Sequence, residues 1–413
     1  MRLLHTSDWH IGRTFHTHST LEHFRQVVDA IARIVESEKI DVVLVSGDVF
    51  DSAVPAAESY LALSDALRAI RGAGARIVLT SGNHDSATRL GFQSEWVGES
   101  GIHVLTSHDR VDPVTIDDEF GPVHIYGIPF LEPALIRHHY PEVPLRTHEQ
   151  ALRFAMDRVR ADMAVRAETA VRAETSVRAE TSVRAETAVR ATTSAQSRRS
   201  IVMSHCFAAG FEAMVDTDGP ERDITAGGLD LVPVGVFDGP DYVALGHIHS
   251  RATISDRARY SGAPLHYSFS EAGKPRGGWI VQLDASGLES VDWIDFPVPR
   301  ALSEIRGTLA ELLSDPVHQS SEHEWVKATI TDAVRPLDGM RRLQQRFPHC
   351  VALEYRPAIV TDHGSASYSQ RIEQQTDLEI VDGFLGFVRN GHHATDFETA
   401  LVTAAFSGPE ARP

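Results

Sequence analysis

Cysteine is almost missing from this chain: Cys206 and Cys350 are the only two in 413 residues. That usage fits a reducing cytoplasm. Long apolar runs are missing as well, and no stretch reaches the roughly 20 residues that span a bilayer. No secretory signal opens the chain, because Asp8 and His10 fall where its apolar segment would lie. A cytoplasmic protein without membrane attachment is therefore expected. The third absence is surplus positive charge. Lys and Arg number 39 against 57 Asp and Glu, for a formal net charge of −18, whereas a stand-alone DNA binder uses Lys and Arg to neutralise phosphates. Tight, independent binding to long DNA is disfavoured.

What the chain does have is a set of metal-binding side chains that follow apolar runs. Asp8-Trp9-His10, Gly47-Asp48-Val49-Phe50-Asp51, Gly82-Asn83-His84-Asp85, Ser204-His205-Cys206 and Gly246-His247-Ile248-His249 come after short β-branched segments. Leu3-Leu4, Val42 to Val45, Ile77 to Leu79, Ile201 to Met203 and Tyr242 to Leu245 read as buried strands of an α/β sheet. Ligands of such sheets bind beyond the carboxyl ends of the strands. Leu21 to Glu38 and Ala56 to Arg71 carry helical spacing, giving a β-α-β-α-β opening. An isolated Asp or Asn after a strand is more often a turn or a cap than a ligand. Convergence on one rim reverses that reading for Asp8, Asp48 and Asn83, while Asp51 stays open between orienting a ligand and capping the next helix.

Mixed oxygen and nitrogen donors suit Mn²⁺, Fe²⁺ or Zn²⁺ better than Ca²⁺, which prefers oxygen alone. Seven such donors exceed the needs of one ion. They match two ions sharing a carboxylate, about 3.5–4 Å apart, which clamp a phosphoryl group for in-line attack. Phosphoester hydrolysis is the favoured chemistry.

The ordered motifs Asp-x-His, Gly-Asp-x-x-Asp, Gly-Asn-His-Asp and Gly-His-x-His resemble the calcineurin-like metallophosphoesterases. Leu4-His5-Thr6-Ser7-Asp8-Trp9-His10, Ser46 to Asp51, Ser81 to Asp85, Ala244 to His249 and Tyr260-Ser261-Gly262-Ala263-Pro264 narrow the resemblance to the SbcD family, the nuclease subunits of SbcCD complexes. This resemblance implies an α/β fold: a metallophosphoesterase β-sandwich flanked by helices, a small α/β capping domain and a helical C-terminal tail. It implies one metal held by Asp8, His10, Asp48 and His249 and a second by Asp48, Asn83, His205 and His247, with Asp48 as bridge. Two divalent ions, with Mn²⁺ as activator, are expected. A carboxylate has two oxygens and can serve two cations, and His247 and His249, two apart on extended backbone, point to the same side. His84 resembles the family's non-ligand histidine, expected to protonate the leaving oxygen or stabilise the pentacovalent phosphorus. Its competing reading is an imidazole that only orients ligands.

The implied activity is ATP-dependent 3′→5′ exonuclease on double strands and endonuclease on single strands or hairpins, in DNA repair, replication and recombination. The implied partners are DNA and the SbcC ATPase subunit, in a heterodimer that assembles to a heterotetramer or higher, with no membrane. Bound cations invert the local potential, and a large partner supplies the main DNA surface, so the acidic total suits a catalytic subunit of a complex. Ala263 departs from the family, whose members often carry Ser there, and a hydroxyl that would contact phosphate is absent. The rival readings are a metallophosphoesterase acting on a small phosphodiester or a phosphoprotein, and a scaffold whose metal site only stabilises the fold.

Composition places the phosphoesterase domain at 1–296, with Phe296-Pro297-Val298-Pro299 as boundary. Val123 to Ile128, Trp279 to Leu283 and Val291 to Ile294 read as strands of a second sheet or edge. A strand-helix-strand unit at Trp325 to Thr331, Leu337 to Arg346 and Val351 to Tyr355 belongs to a capping domain at 297–367. A polar linker from Tyr368 leads to apolar-striped segments Leu378 to Val388 and Phe397 to Phe406 in a region at 368–413. Short helices of this kind gain stability by docking, by resemblance on the coiled-coil base of SbcC, with packing on the capping domain as the alternative. The repeat Val-Arg-Ala-Glu-Thr-Ala/Ser runs five times from Val165 to Ser194, with Thr192 replacing Glu in the last copy. A period of six forms no apolar stripe, so the segment either extends the preceding helix, aided by Glu-to-Arg i,i+4 pairs, or is disordered. Cys206 and His205 are neighbours on an extended strand and face opposite sides, which excludes a thiol–imidazole pair.

Overall fold

The computed structural model describes residues 1–180, 199–209, 231–357, 375–389, 391 and 393–406. The chain divides into two compact units, Met1–Pro299 and Arg300–Pro413. In the first unit the elements run β1 (Arg2–Thr6), α1 (Leu21–Glu38), β2 (Val42–Ser46), α2 (Ala57–Gly72), β3 (Arg76–Thr80), β4 (Ile102–Leu105), β5 (Val114–Asp118) and β6 (Gly121–Ile128). They continue with α3 (His148–Glu180), β7 (Ser200–His205), β8 (Tyr242–Gly246), β9 (Ala252–Thr253), β10 (Ala258–Tyr260), β11 (Gly277–Asp284) and β12 (Gly287–Asp295).

Two six-stranded sheets result, ordered β12-β11-β1-β2-β3-β4 and β9-β10-β8-β7-β6-β5. Strands β1 to β4 are parallel, as are β6, β7, β8 and β10. The strands read as fully buried are so because each faces a different layer on each side. Along β2, Val42 and Leu44 enter a cluster shared with Ile125, Ile201, Met203 and Tyr242 of the other sheet. Val43 and Val45 enter a cluster with Phe24, Val27, Ile31, Ala66 and Ile70 of α1 and α2. A third cluster joins Tyr126, Val202, Val243 and Leu245 to Leu152, Met156 and Val159 of α3. The unit is therefore a helix–sheet–sheet–helix sandwich. Each buried Val or Leu contributes about 1.5–3 kcal/mol, so a polar residue on either face of β2 is strongly disfavoured.

Helix α3 packs through Leu152, Met156 and Val159 and continues without a stripe into the repeat. Val165 is already 61% exposed. The helix is described to Glu180, as one of the two open readings requires, and repeat residues 181–194 lie outside the described residues.

In the second unit, β13 (Leu302–Gly307), α4 (Leu309–Ser314), β14 (Trp325–Ile330), α5 (Gly339–Arg346) and β15 (Cys350–Tyr355) form a three-stranded parallel sheet with helical crossovers. Its core holds Ile305, Leu312, Val326, Ile330, Leu343 and Phe347. The expected strand-helix-strand is present, preceded by a strand and helix that sequence reading did not identify. Helices α6 (Asp377–Val388) and α7 (Asp396–Phe406) follow, joined by two Arg389–Glu398 hydrogen bonds of 2.9 and 2.8 Å. Thr376-x-x-Glu379 closes the start of α6 as a capping box. The polar linker expected from Tyr368, the side chains of Phe387 and Val388, and His392 lie outside the described residues. Among the described residues, no helix is long and apolar enough to cross a membrane.

Candidate metal centre

The parallel strands deliver their carboxyl ends to one edge of the sandwich. Loops after β1, β2 and β3 bring Asp8, His10, Asp48, Asn83 and His84; β7 and β8 bring His205, His247 and His249. Sharp turns aim these side chains inward. Asp8 (φ 53°), His10 (42°), Asp48 (46°) and His247 (105°) all adopt positive φ, a conformation costing on the order of 1–3 kcal/mol per non-glycine residue, which persists only where surroundings enforce it. Here the enforcement is visible. The Asp8 amide donates to Gly47 O (3.1 Å) and the His10 amide to Asp48 O (2.9 Å). The His247 amide donates to Asp8 Oδ1 and the His84 amide to Asp48 Oδ1, both at 2.9 Å. The glycines leave the necessary room: a Cβ on Gly246 would lie 1.8 Å from Ser46 O, and one on Gly82 would lie 2.0 Å from Asp48 Oδ1.

All seven sequence-predicted metal residues meet at this edge. Asp8, His10 and His249 form one group with ligand atoms within 4.8 Å, and Asp8, Asp48 and His205 another. His10 Nε2 lies 3.0 Å from His249 Nε2 and 3.6 Å from Asp48 Oδ2. His205 Nε2 lies 3.3 Å from Asp48 Oδ2 and 3.0 Å from Asn83 Oδ1, and His247 Nδ1 is 3.2 Å from that same Asn83 oxygen. Asp8 belongs to both groups, and Asp48 Oδ2 lies between His10 and His205, a place from which one carboxylate can serve two cations.

The far nitrogens decide what these atoms are. His10 Nδ1 is 3.2 Å from Asp51 Oδ1 and His249 Nδ1 is 3.7 Å from Glu271 Oε1, and a carboxylate on that side favours the tautomer with its proton on Nδ1. Both Nε2 atoms then present lone pairs to each other at contact distance. The His205 Nδ1–H donates to Ser46 O at 3.0 Å, so its Nε2, once it gives up its proton, likewise turns a lone pair toward the oxygens of Asp48 and Asn83. Acceptors facing acceptors in a buried space need a cation between them, and these residues fit divalent metal ions.

The electrostatics agree. Burial works against a charged His205, yet facing Asp48 raises its imidazole well above the ordinary value; burial likewise opposes the Asp48 carboxylate, and His205 and His10 pull it well below the ordinary carboxylate range. A proton on His205 thus stands in for the cation. Burial pushes His247 down to about 3, and lowers His10 despite Asp51 and Asp48. These two rings stay neutral and ready to bind metal.

His84 differs from the rest. Its side chain is 38% exposed, its Nδ1–H donates to Asp51 O at 3.0 Å, and its ring lies 4.8 Å from that of His10. It also stands within ligand distance of His10 and Asp48, and its partial exposure leaves the ring open to a substrate. Asp51 resolves toward orienting His10, with Arg13 Nη1 3.5 Å from the same oxygen. Ala263 is buried, its methyl among the core residues under α1 and α2, and its amide donates to His249 O at 3.1 Å. His5, assigned no chemistry, is buried against Tyr242 OH and Leu245 O, and burial lowers it to about 3. Cys206 is buried and its thiol pushed up to about 12 by desolvation, an inert group.

Sequence reading gave no role to Asp85 or Glu271. Asp85 accepts the amides of Val49, Phe50 and Gly82 at 3.0, 2.8 and 2.9 Å and ties the second metal loop to the third. Its signal was its place in Gly-Asn-His-Asp. Glu271 is 5% exposed and bonded to Arg276 Nη2 (2.8 Å) and the Tyr267 amide (3.1 Å).

Residues 1–172 match the calcineurin-like phosphoesterase family. Residues 298–387 match SbcD_C, described as the type 5 capsule protein repressor C-terminal domain. Among solved structures, the crystal structure of TT1561 of Thermus thermophilus is similar with a TM-score of 0.34 and 11% identity, over 71% of this chain and 98% of that one. A calcineurin-like phosphoesterase domain followed by an SbcD-type C-terminal domain makes this chain an SbcD-type metallophosphoesterase in its domain arrangement.

Proposed function

We propose that this chain is the catalytic subunit of a two-metal DNA nuclease, cleaving phosphodiesters at DNA ends and hairpins with SbcC as its ATP-hydrolysing partner. The observation that carries the reading is the buried meeting of imidazole, carboxylate and carboxamide acceptors at 3.0–3.6 Å around Asp48. Asp8, His10, Asp48 and His249 would hold one ion and Asp48, Asn83, His205 and His247 the other; this donor set suits Mn²⁺, Fe²⁺ or Zn²⁺, and the family resemblance points to Mn²⁺. Such a pair, when bound, supplies Lewis acidity to a phosphoryl group and to the attacking water.

The chain's own residues do the rest. Asp51 and Glu271 fix ring orientation, Asn83 adds a donor without charge, and half-exposed His84 holds a proton for the leaving oxygen, a contribution of about 10²–10⁴-fold. The acidic net charge of −18 supports a partner that carries the main DNA surface. The exposed Phe384 (48%), Phe397 (72%) and Leu401 (55%) of α6 and α7 support docking of these helices on the SbcC coiled-coil base. The sheet of the second unit, residues 297–367 in the sequence division, is assigned the capping role over DNA.

The test compares linear DNA, hairpin DNA, a cyclic nucleotide and a phosphopeptide in Mn²⁺, with wild type and His84→Ala. Cleavage of DNA by wild type, lost in His84→Ala with metal content unchanged, is expected. Cleavage of the small phosphoesters alone would overturn the nuclease reading and keep the metal centre.

A further inference from the structure

The two halves of the centre are backed differently. Behind the Asp8–His10–His249 half stand two arginine–carboxylate pairs, each aimed at one imidazole. Glu271, 5% exposed, has Oε2 bonded to Arg276 Nη2 at 2.8 Å and turns Oε1 toward His249 Nδ1 at 3.7 Å. Asp51 places one oxygen 3.2 Å from His10 Nδ1 and 3.5 Å from Arg13 Nη1. Tyr267 packs between the two pairs, its ring 5.4 Å from His10 and 5.8 Å from His249, with the Arg13 guanidinium 4.8 Å above it. Its hydroxyl donates to Trp9 O (2.7 Å) and its amide to Glu271, which ties both pairs into one scaffold.

The other half is built from weaker elements. His205 Nδ1 leans on a neutral carbonyl, Ser46 O, while His247 points its Nδ1 inward, 3.2 Å from the Asn83 oxygen of the same half. Either acceptor behind an imidazole locks its tautomer and raises its basicity, and a charged carboxylate does so more strongly than a neutral carbonyl. On the two-metal reading, the first half also has the carboxylate side chain of Asp8 where the second has the carboxamide of Asn83.

We infer that the two cation sites are unequal and fill in order, the Asp8–His10–His249 site first and tightly, because Glu271 and Asp51 act as positioning residues for its imidazoles. This rests on the two-metal reading of the centre. Glu271 sets the tight site through His249, and Asp51 through His10. The second site loads only while free metal is present, so the enzyme's response to metal concentration is the titration of the Asn83–His205–His247 half.

The test is Mn²⁺ binding to the full chain by equilibrium dialysis with elemental analysis, followed by EPR of the bound ion. Wild type is expected to keep one ion after dialysis against metal-free buffer and to gain a second, at least about tenfold weaker, as free Mn²⁺ is restored. Glu271→Gln is expected to weaken the tight step by about 10–100-fold and leave the weak step within about twofold. Should Glu271→Gln fail to fold, Asp51→Asn, whose side chain is 32% exposed, decides by the same readout. Asn83→Asp is expected to tighten the second step alone. Two ions of equal affinity in wild type, or an unchanged tight step in a folded Glu271→Gln or Asp51→Asn protein, would overturn the inference. A chain that holds fewer than two ions at saturating Mn²⁺ would instead strike the two-metal reading beneath it.

Discussion

Replacing Gly82 by alanine tests the geometry at its tightest point. A Cβ there would lie 2.0 Å from Asp48 Oδ1 and 2.4 Å from the Asp48 backbone nitrogen, and neither neighbour is free to give way. The carboxylate is held by the His84 amide at 2.9 Å, and the loop by Asp85 through the amides of Val49 and Phe50. Restoring ordinary contact moves Asp48 by about 1 Å, and a displacement of that size at reacting groups costs on the order of 10²-fold in rate. The assay is hydrolysis of bis-p-nitrophenyl phosphate, a phosphodiester that needs no DNA contacts, alongside bound Mn²⁺ and the melting temperature. Gly82→Ala is expected to lose about 10²-fold in kcat while still melting cooperatively, because the strands on either side keep their cores. Activity within threefold of wild type at full metal occupancy would refute the claim that Asp48 is fixed by this glycine.

Metal binding near neutral pH is expected to release a proton from His205, whose imidazole Asp48 raises against burial; calorimetry in buffers of different ionisation enthalpy counts it, and no buffer dependence would contradict the assignment. The same shift sets a sign for the metal-free protein. A raised imidazole contributes stability that is fully present below its ordinary value of 6.5 and fades as pH rises above it, so urea midpoints of the apo form should fall between about pH 7 and pH 10, and a rise would refute this. Asp118→Asn removes the partner of fully buried Arg199, bonded at 2.6 and 2.8 Å, and is expected to lose about 3–5 kcal/mol in urea unfolding; a change below about 1 kcal/mol would deny the pair its role. Phe347→Ala empties the core of the second unit, where Phe347 is wholly buried, and should destabilise that unit by about 3–5 kcal/mol while leaving Mn²⁺ stoichiometry unchanged.

Much of this architecture was legible because burial on both faces leaves strands such as Val42 to Ser46 little room for polar side chains, and because the candidate metal-binding residues follow directly at the strand ends. Helix α1 announced itself by spacing, and its bounds are those expected from Leu21 to Glu38. The strand Leu302–Gly307 was not seen, since its Leu-Ser-Glu-Ile-Arg-Gly holds only two apolar side chains. The sheet order was equally hidden: nothing local tells β11 to pair antiparallel with β1. Glu271 escaped because it lies in a short turn, Phe269–Glu271, far in sequence from the histidine it faces. Its partner exists only once the chain has folded.

Each proposed ion would be gripped by residues from both halves of the sandwich. Asp8 and His10 leave one sheet and His249 the other; Asn83 leaves one and His205 and His247 the other. The gap between donor atoms is therefore set by the thickness of the Leu44, Ile201 and Met203 layer beneath them. A swap of one side chain in that layer for a smaller or larger one would change the bite of the centre without touching a ligand. The apolar filling of this protein is, in effect, the spacer that calibrates its catalytic jaw.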